Sequence, residues 1–288
     1  MKALLTGVSG QVGQALLDSA PAGIELIACS HAELDLGDEQ AVMHCVRRHR
    51  PDAILNAAAY TAVDRAESEA ELARRVNGAG PGYLARAAGE QGARLLHVST
   101  DFVFDGSSAT PYPPDAPTRP LNVYGASKLA GENAVLQALP RQAVIVRTAW
   151  VYAAKGRNFV NTMLRLMRDQ GTVRVVADQI GTPTAACSVA EALWHLLARP
   201  EIHGIHHWTD AGVASWYDFA VAIAEEAVPL GLLSGPIRVT PIRTADYPSA
   251  ARRPSFSVLD KESLIATGLR PIHWRARLRD VLGELRHA

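Results

Sequence analysis

The 288-residue chain predicts an α/β fold, a doubly wound parallel sheet followed by a smaller C-terminal lobe. Three observations carry that expectation. Short, nearly continuous apolar runs alternate with helical patterns through the first half. A Gly-x-x-Gly-x-x-Gly turn follows the first of those runs. From about Val151 the rhythm loosens.

The strand-like runs are Lys2–Thr6, Ile24–Cys29, Ala53–Asn56, Arg94–Ser99 and Ala143–Thr148, rich in Val, Ile and Leu. They are continuous rather than alternating, as strands covered on both faces are. Helical patterns fill the gaps: Gln11–Ser19, Glu39–Arg48, Glu69–Gln91 and Tyr124–Leu139. Such a βαβα order implies parallel strands with right-handed crossovers. Beyond Val151 the expected elements are a helix over Phe159–Asp169, a strand at Arg174–Val176 and a helix over Val189–Ala198. A strand near Gly204–Trp208 and a helix over Trp216–Ala227 follow. Gly235–Pro254, rich in Pro, Arg and Ser, reads as a loop, and a terminal helix spans Ala276–Arg286. The stripe Phe159, Met163, Leu166, Met167 has helical spacing and faces a core.

Twenty-nine basic residues balance 29 acidic ones. No broad electrostatic pull towards nucleic acid or a membrane surface is expected, so anionic ligands need local devices. Cys29, Cys45 and Cys187 are odd in number and widely spaced, which suits a reducing compartment better than a disulfide framework. The first residues run straight into the glycine turn, too short for a signal peptide, and no apolar run approaches about 18 residues. A soluble, cytoplasmic protein is expected, either monomer or homodimer.

Gly7, Gly10 and Gly13 set the spacing of the turn. Glycine at each corner lets the chain turn tightly, lets backbone approach a pyrophosphate and lets helix pack on strand. The amide groups and positive dipole end of the helix starting at Gln11 then hold phosphate. Residues 1–150 therefore read as a Rossmann-like dinucleotide-binding domain. Residues 151–288 form mainly a substrate-binding lobe, with some elements packing back on the sheet. The second strand ends Cys29-Ser30-His31, without a carboxylate at its tip to hold a free ribose hydroxyl. That slightly favours NADPH over NADH. Asp35 and Leu36 suit the border of an adenine ring, whereas Asp38 better suits a helix cap. Asn56-Ala57-Ala58-Ala59-Tyr60-Thr61 leaves room for a ligand at the end of the third strand.

Ser99-Thr100-Asp101 ends the fourth strand, at the edge where ligands collect in such sheets. Tyr124 and Lys128, four residues apart on one helix, share a face. A nearby ammonium lowers a phenol's pKa, and the phenol then serves as general acid to a carbonyl oxygen while hydride arrives at carbon.

Further blocks sharpen this reading: Ser99–Gly106 (STDFVFDG), Pro120–Gly125 (PLNVYG), Arg147–Tyr152 (RTAWVY), Asp178–Thr184 (DQIGTPT), Asn56–Glu67 and Arg252-Arg253-Pro254. With the glycine turn they resemble the extended short-chain dehydrogenase/reductase family and, within it, the dTDP-4-dehydrorhamnose reductases. The resemblance implies NAD(P)H-dependent reduction of the 4-keto group of dTDP-4-dehydro-β-L-rhamnose, the last step of dTDP-L-rhamnose biosynthesis. It implies that Tyr124 donates the proton, that Lys128 tunes it and binds the nicotinamide ribose, and that Thr100 orients the carbonyl. Asp101 and Trp150 would contact the sugar nucleotide. Gly10, Gln11 and Val12, Ser30, Asp35 and Leu36, Ala59, Tyr60 and Thr61, and Val98 would line the cofactor. Phe102 stands where the family often has Tyr.

Arg252 and Arg253, two guanidiniums in the smaller lobe, suit a nucleotide diphosphate. His203, His206 and His207 do not make a metal site, because neighbours on a strand point to opposite faces. No metal is indicated by the sequence, and a role for Mg²⁺ stays open. Ser188, Ser215 and Ser234 lack a hydrolase nucleophile elbow. Two alternatives stay open: a nucleotide-sugar epimerase or dehydratase of the same superfamily, and a non-catalytic regulatory module.

Overall fold

The computed structural model describes residues 1–287. The chain opens with β1 (Lys2–Thr6), α1 (Gln11–Asp18), β2 (Glu25–Cys29), α2 (Glu39–His49) and β3 (Ala53–Asn56). Short helices α3 (Val63–Ala66) and α4 (Ala70–Ala73) lead through a π-helical turn, Arg74–Ala79, into α5 (Gly80–Gln91). Then come β4 (Arg94–Thr100), α6 (Val123–Ala138) and β5 (Ala143–Thr148). The second half holds β6 (Val151–Tyr152), α7 (Phe159–Gln170), β7 (Thr172–Val176), β8 (Ile180–Gly181), β9 (Thr184–Ala185) and α8 (Ala186–Leu197). It ends with β10 (Gly204–His207), β11 (Ala214–Ser215), α9 (Trp216–Ala227), β12 (Arg238–Ile242), α10 (Glu262–Ile265) and α11 (Trp274–His287).

Six parallel strands form one sheet in the order β10-β5-β4-β3-β1-β2. The chain runs outward from β1 to β2 and then returns across β1 to β3. That reversal opens a crevice beyond the carboxyl ends of β1 and β3. Both faces of the sheet are covered. Leu5 packs with Leu16, Val144, Val189 and Leu193 on one face, and Leu4 packs with Val42, Leu84, Val135 and Ile145 on the other. Successive residues of one strand thus feed opposite layers, which explains the unbroken apolar runs.

The second half divides its elements. β10 completes the sheet beside β5, and α8 packs on α1. The remainder builds a separate core from Tyr152, Met163, Met167, Phe219, Ile223 and Leu278, with Phe159 and Leu166 packed against it. Among the described residues no helix is long and apolar enough to cross a membrane.

Two elements depart from the sequence reading. The loop expected over Gly235–Pro254 contains β12, which pairs in parallel with β7 from Arg238↔Thr172 to Ile242↔Val176. Pro241 lies within it, as an edge strand tolerates, and the Pro- and Arg-rich flanks hid the run. The single helix expected over Glu69–Gln91 is interrupted by the π-helical turn, where Asn77 bonds Tyr60 and Ser127. The bonds to Tyr60 and Ser127 are made by the Asn77 side chain, and such turns concentrate at functional sites.

Candidate active site

Gly7 adopts φ +77°, and a Cβ there would fall 2.5 Å from the Ala58 nitrogen. A Cβ on Gly13 would fall 2.1 Å from the Gly7 oxygen. Only glycine lets the tip of β1, the first turn of α1 and the tip of β3 close on one another. Gly10 is the N-cap of α1 and no side chain caps that end. The first amide groups of the helix therefore stay available, beside the crevice, to an anionic ligand.

Thr100 at the end of β4 and Tyr124 and Lys128 on α6 line one cleft of about 840 Å³. The helix is placed by its cap and by a close approach. Asn122 accepts from the Gly125 amide at 2.8 Å and donates to the Arg252 carbonyl at 2.7 Å. A Cβ on Gly125 would lie 2.2 Å from the Phe102 oxygen, so α6 rests directly on the segment that follows Thr100. The Phe102 ring meets Tyr124 edge-on, centroids 5.6 Å apart. Thr100 Oγ1 accepts from the Phe102 amide at 3.2 Å and donates to Asp101 Oδ1 at 3.1 Å.

A buried polar layer holds this edge from below. Arg147 on β5 and Glu132 on α6 are 2% and 1% exposed and form a bidentate pair, Nη2 to Oε2 at 2.7 Å and Nε to Oε1 at 3.0 Å. Ser99 also donates to Glu132, so α6, β4 and β5 are joined through one carboxylate. Lys128 is buried, and its Nζ donates to the Val98 carbonyl at 2.7 Å and lies 3.4 Å from His97 Nε2.

The electrostatics follow burial. Loss of solvent pushes the Tyr124 phenol up to about 12, the nearby Thr100 hydroxyl opposing the rise and the Asp101 carboxyl adding to it. The expected lowering by Lys128 is not seen here. The ammonium is itself desolvated, which brings Lys128 down to about 8, and its Nζ is turned to Val98. Asp101 is raised by burial to about 6. Among the described residues, Asp101 Oδ2 and Thr148 Oγ1 are buried without a partner, and both residues line the cleft. Buried polar atoms left without partners mark a place where a ligand's polar groups fit.

The opposite wall comes from the lobe. Trp150 sits at φ +48°, a left-handed conformation that a bulky residue holds only when its surroundings dictate it. Those surroundings are Trp216, stacked at 3.6 Å and 6°, and Gly181, whose Cβ would fall 2.6 Å from the Trp150 ring. Arg253 lines the cleft and donates to Asp64 at 2.7 Å, holding that carboxyl below its ordinary range. Arg252 is engaged through its carbonyl.

Most of the residues singled out from sequence meet in this cleft: Gly7, Gly10, Gln11 and Val12, Leu36, Ala59 and Thr61, Val98, Thr100, Asp101, Tyr124, Lys128, Trp150 and Arg253. Gly13, Ser30, Asp35 and Tyr60 do not reach its wall. Gly13 packs under Gly7, Asp35 accepts from the Gly37 amide at 2.8 Å, and the Tyr60 hydroxyl donates to Glu69 at 2.6 Å. The Ser30 amide donates to Glu33 at 2.7 Å, so a carboxylate does stand near the tip of β2, three residues beyond Ser30. Asp38 caps α2, accepting from Ala41.

Comparison with known proteins identifies the family. The family model described as the RmlD substrate binding domain matches residues 1–287. The chain belongs to the dTDP-4-dehydrorhamnose reductase family. It is 46% identical to the dTDP-4-dehydrorhamnose reductase of Streptomyces griseus, over 96% of this chain and 91% of that protein. A crystal structure of the Clostridium acetobutylicum dTDP-4-dehydrorhamnose reductase superposes with a TM-score of 0.93 at 36% identity, covering 99% and 100% of the two chains. That of Bacillus anthracis, in complex with NADP, gives 0.93 at 34%, covering 98% and 99%.

Within this reductase family frame, sequence reasoning missed several contributors. Trp216 backs Trp150 from a helix 66 residues away, and nothing local in its sequence reveals the stack. Lys155 and Arg157 line the same cleft from an exposed turn. His97 and Asn56 lie beneath Lys128; Asn56 at a strand's carboxyl end was the one available signal.

Proposed function

We propose that the chain reduces the 4-keto group of dTDP-4-dehydro-β-L-rhamnose with NAD(P)H, completing dTDP-L-rhamnose. The observation that carries this is the meeting of Thr100, Tyr124 and Lys128 in one cleft, between an uncapped helix N-terminus and the Trp150 wall. Identity of 46% to a protein of that name supports the substrate.

The glycine loop fits a dinucleotide, since a Cβ at Gly7 would fill the space where backbone must approach the diphosphate. Bound there, the coenzyme supplies the hydride. Amide groups of Gln11 and Val12 hold its pyrophosphate, the Gly10 amide being spent on the Gly7 carbonyl, while Leu36, Ala59, Thr61 and Val98 flank the remainder. Lys128 reaches the nicotinamide ribose. Thr100 and Tyr124 donate to the sugar's C4 oxygen as negative charge develops on it. With its pKa pushed up to about 12, Tyr124 is fully protonated at neutral pH and so is ready to give its proton to that oxygen. Asp101 and Trp150 orient the sugar nucleotide, and Arg253 exchanges Asp64 for its diphosphate.

Both coenzymes are accepted in this reading. His31 lines the cleft and offers a donor to a 2′-phosphate, which puts NADPH ahead, while Ser30 is taken up by the Glu33 carboxylate, which narrows the margin. Residues 1–150 serve the coenzyme and 151–288 mainly the sugar nucleotide. Three free cysteines suit a reducing cytoplasm.

The test is coenzyme oxidation with enzymatically generated dTDP-4-dehydro-L-rhamnose, first with NADPH and then with NADH. Oxidation matched mole for mole by dTDP-L-rhamnose is expected. Sugar interconversion without net oxidation would make the chain an epimerase. Folded, coenzyme-binding protein that turns over nothing would make it a regulatory module.

A further inference from the structure

Beneath Lys128 runs a chain of hydrogen bonds whose direction can be settled by counting donors. Asn56 Oδ1 lies 3.1 Å from the Ala58 backbone amide, which can only donate, and 2.8 Å from Thr6 Oγ1. That oxygen is therefore an acceptor, and the Asn56 amide cannot be turned over without setting two donors against each other. Its Nδ2 must then donate to His97 Nδ1, 2.9 Å away. A ring nitrogen that accepts carries no proton. His97 is 0% exposed and its pKa is driven well below the ordinary value by burial, so the ring is neutral. Its single proton consequently sits on Nε2, and Nε2 is the atom 3.4 Å from Lys128 Nζ.

An ammonium has three donors and no acceptor, so it would face an N–H with an N–H. A neutral amine has a lone pair for His97 Nε2–H while it still donates to the Val98 carbonyl at 2.7 Å. The other groups facing Lys128 do not reverse this. Glu132, one turn along α6, favours the ammonium, but Arg147 from β5 occupies both its carboxylate oxygens. Tyr124, one turn back, is a neutral phenol at working pH, and Asp101 lies beyond it at the cleft.

We propose that His97, locked by Asn56 with its proton on Nε2, favours the neutral amine of Lys128 in the empty cleft, and that coenzyme binding draws Lys128 out as an ammonium. This rests on the coenzyme-binding role of the cleft. Ribose hydroxyls accept from the departing Nζ and the coenzyme's phosphates add negative charge, both of which favour the charged form. One proton from solvent joins the Lys128 nitrogen as the His97 contact breaks. His97 is a positioning residue, acting on the coenzyme only through Lys128. Lys128 then enters the reaction carrying a proton, one turn from the phenol that spends one in each cycle.

The experiment is calorimetric titration of the full chain with NADPH at pH 8.5 in buffers of different ionisation enthalpy. The 2′-phosphate is fully ionised there, its second pKa being about 6, so it contributes no proton. The expected result is an uptake approaching one proton per coenzyme, falling to less than half of that in His97→Met. NADPH binding without uptake would overturn the proposal, as would an unchanged uptake in His97→Met. Absence of NADPH binding would instead fail the reading of the cleft itself. A long-range proton–nitrogen NMR spectrum of the unaltered protein needs no variant. It should show His97 Nδ1 as the bare nitrogen, and a proton on Nδ1 would contradict the assignment.

Discussion

At the carboxyl edge of the sheet, Thr100, Tyr124 and Lys128 stand on elements tied together below the surface. Across the cleft, Trp150 and Arg253 stand on short segments held by an aromatic stack and a partly exposed ion pair. The first wall is organised by buried, directional groups: the Glu132–Arg147 pair, Ser99, and the line from Asn56 through His97 to Lys128. The second is organised by shape. Handling a proton requires donors and acceptors fixed to fractions of an ångström, and only a satisfied buried network supplies that. In the proposed function the lobe grips a large sugar nucleotide, which needs area and a few cations, and stacked rings and a guanidinium suit that task.

The largest expected effect of disturbing the contrast lies in the buried wall. Arg147→Met leaves Glu132 charged and unpaired in the interior and should cost about 3–5 kcal/mol. In a thermal melt the midpoint should fall by about 10 °C. A melt unchanged from the native one would mean that the pair does not hold α6 to the sheet.

Asp101 should show the opposite sign. Its carboxyl is raised from an ordinary 3.8 to about 6, so the folded protein binds its proton more tightly than the unfolded chain does. Unfolding then releases a proton between those values, and stability falls as pH rises through 4 to 6. Above pH 6 the burial of that charge costs about 3 kcal/mol. Asp101→Asn should therefore melt higher than the native protein at pH 8, the gap closing towards pH 4, while KM for the sugar nucleotide rises. Equal melts at both pH values would show that the carboxylate is not held at a cost for its ligand.

Tyr124→Phe keeps the ring against Phe102 and removes the proton. It should lower kcat by about 10²-fold or more, with coenzyme affinity little changed. The lobe should respond more gently. Trp216→Ala withdraws the support of Trp150, and a stack worth about 0.5–1.5 kcal/mol should raise KM by about tenfold or less while kcat holds. If kcat collapsed instead, the lobe would share in positioning the reacting atoms.

The sheet was legible because its strands are buried on both faces and read as unbroken apolar runs between helices of ordinary spacing. The tip of β1 was legible for a similar reason: Gly7 and Gly13 must be glycine wherever backbone crosses backbone that closely. Tyr124 and Lys128 are four residues apart on one helix, so local geometry alone joins them. Contacts closed by long-range packing were not legible. Trp216 meets Trp150 through the lobe's own core, and His97 meets Lys128 across 31 residues. Neither carries a local pattern. β12 escaped because Pro241 and its flanks mimic a loop. The direction of the Tyr124 shift was misjudged because a spacing argument counts the neighbouring charge and leaves out the water that both groups lose.

The measurement that tests the central claim most directly follows an isotope. NADPH carrying deuterium on the transferable position of the nicotinamide ring would be mixed with the chain and dTDP-4-dehydro-L-rhamnose. The product would then be read by mass and proton spectra. Deuterium at C4 of dTDP-L-rhamnose, one atom per coenzyme oxidised, is the predicted result. A sugar product without deuterium at C4, formed with no net loss of coenzyme, would contradict it.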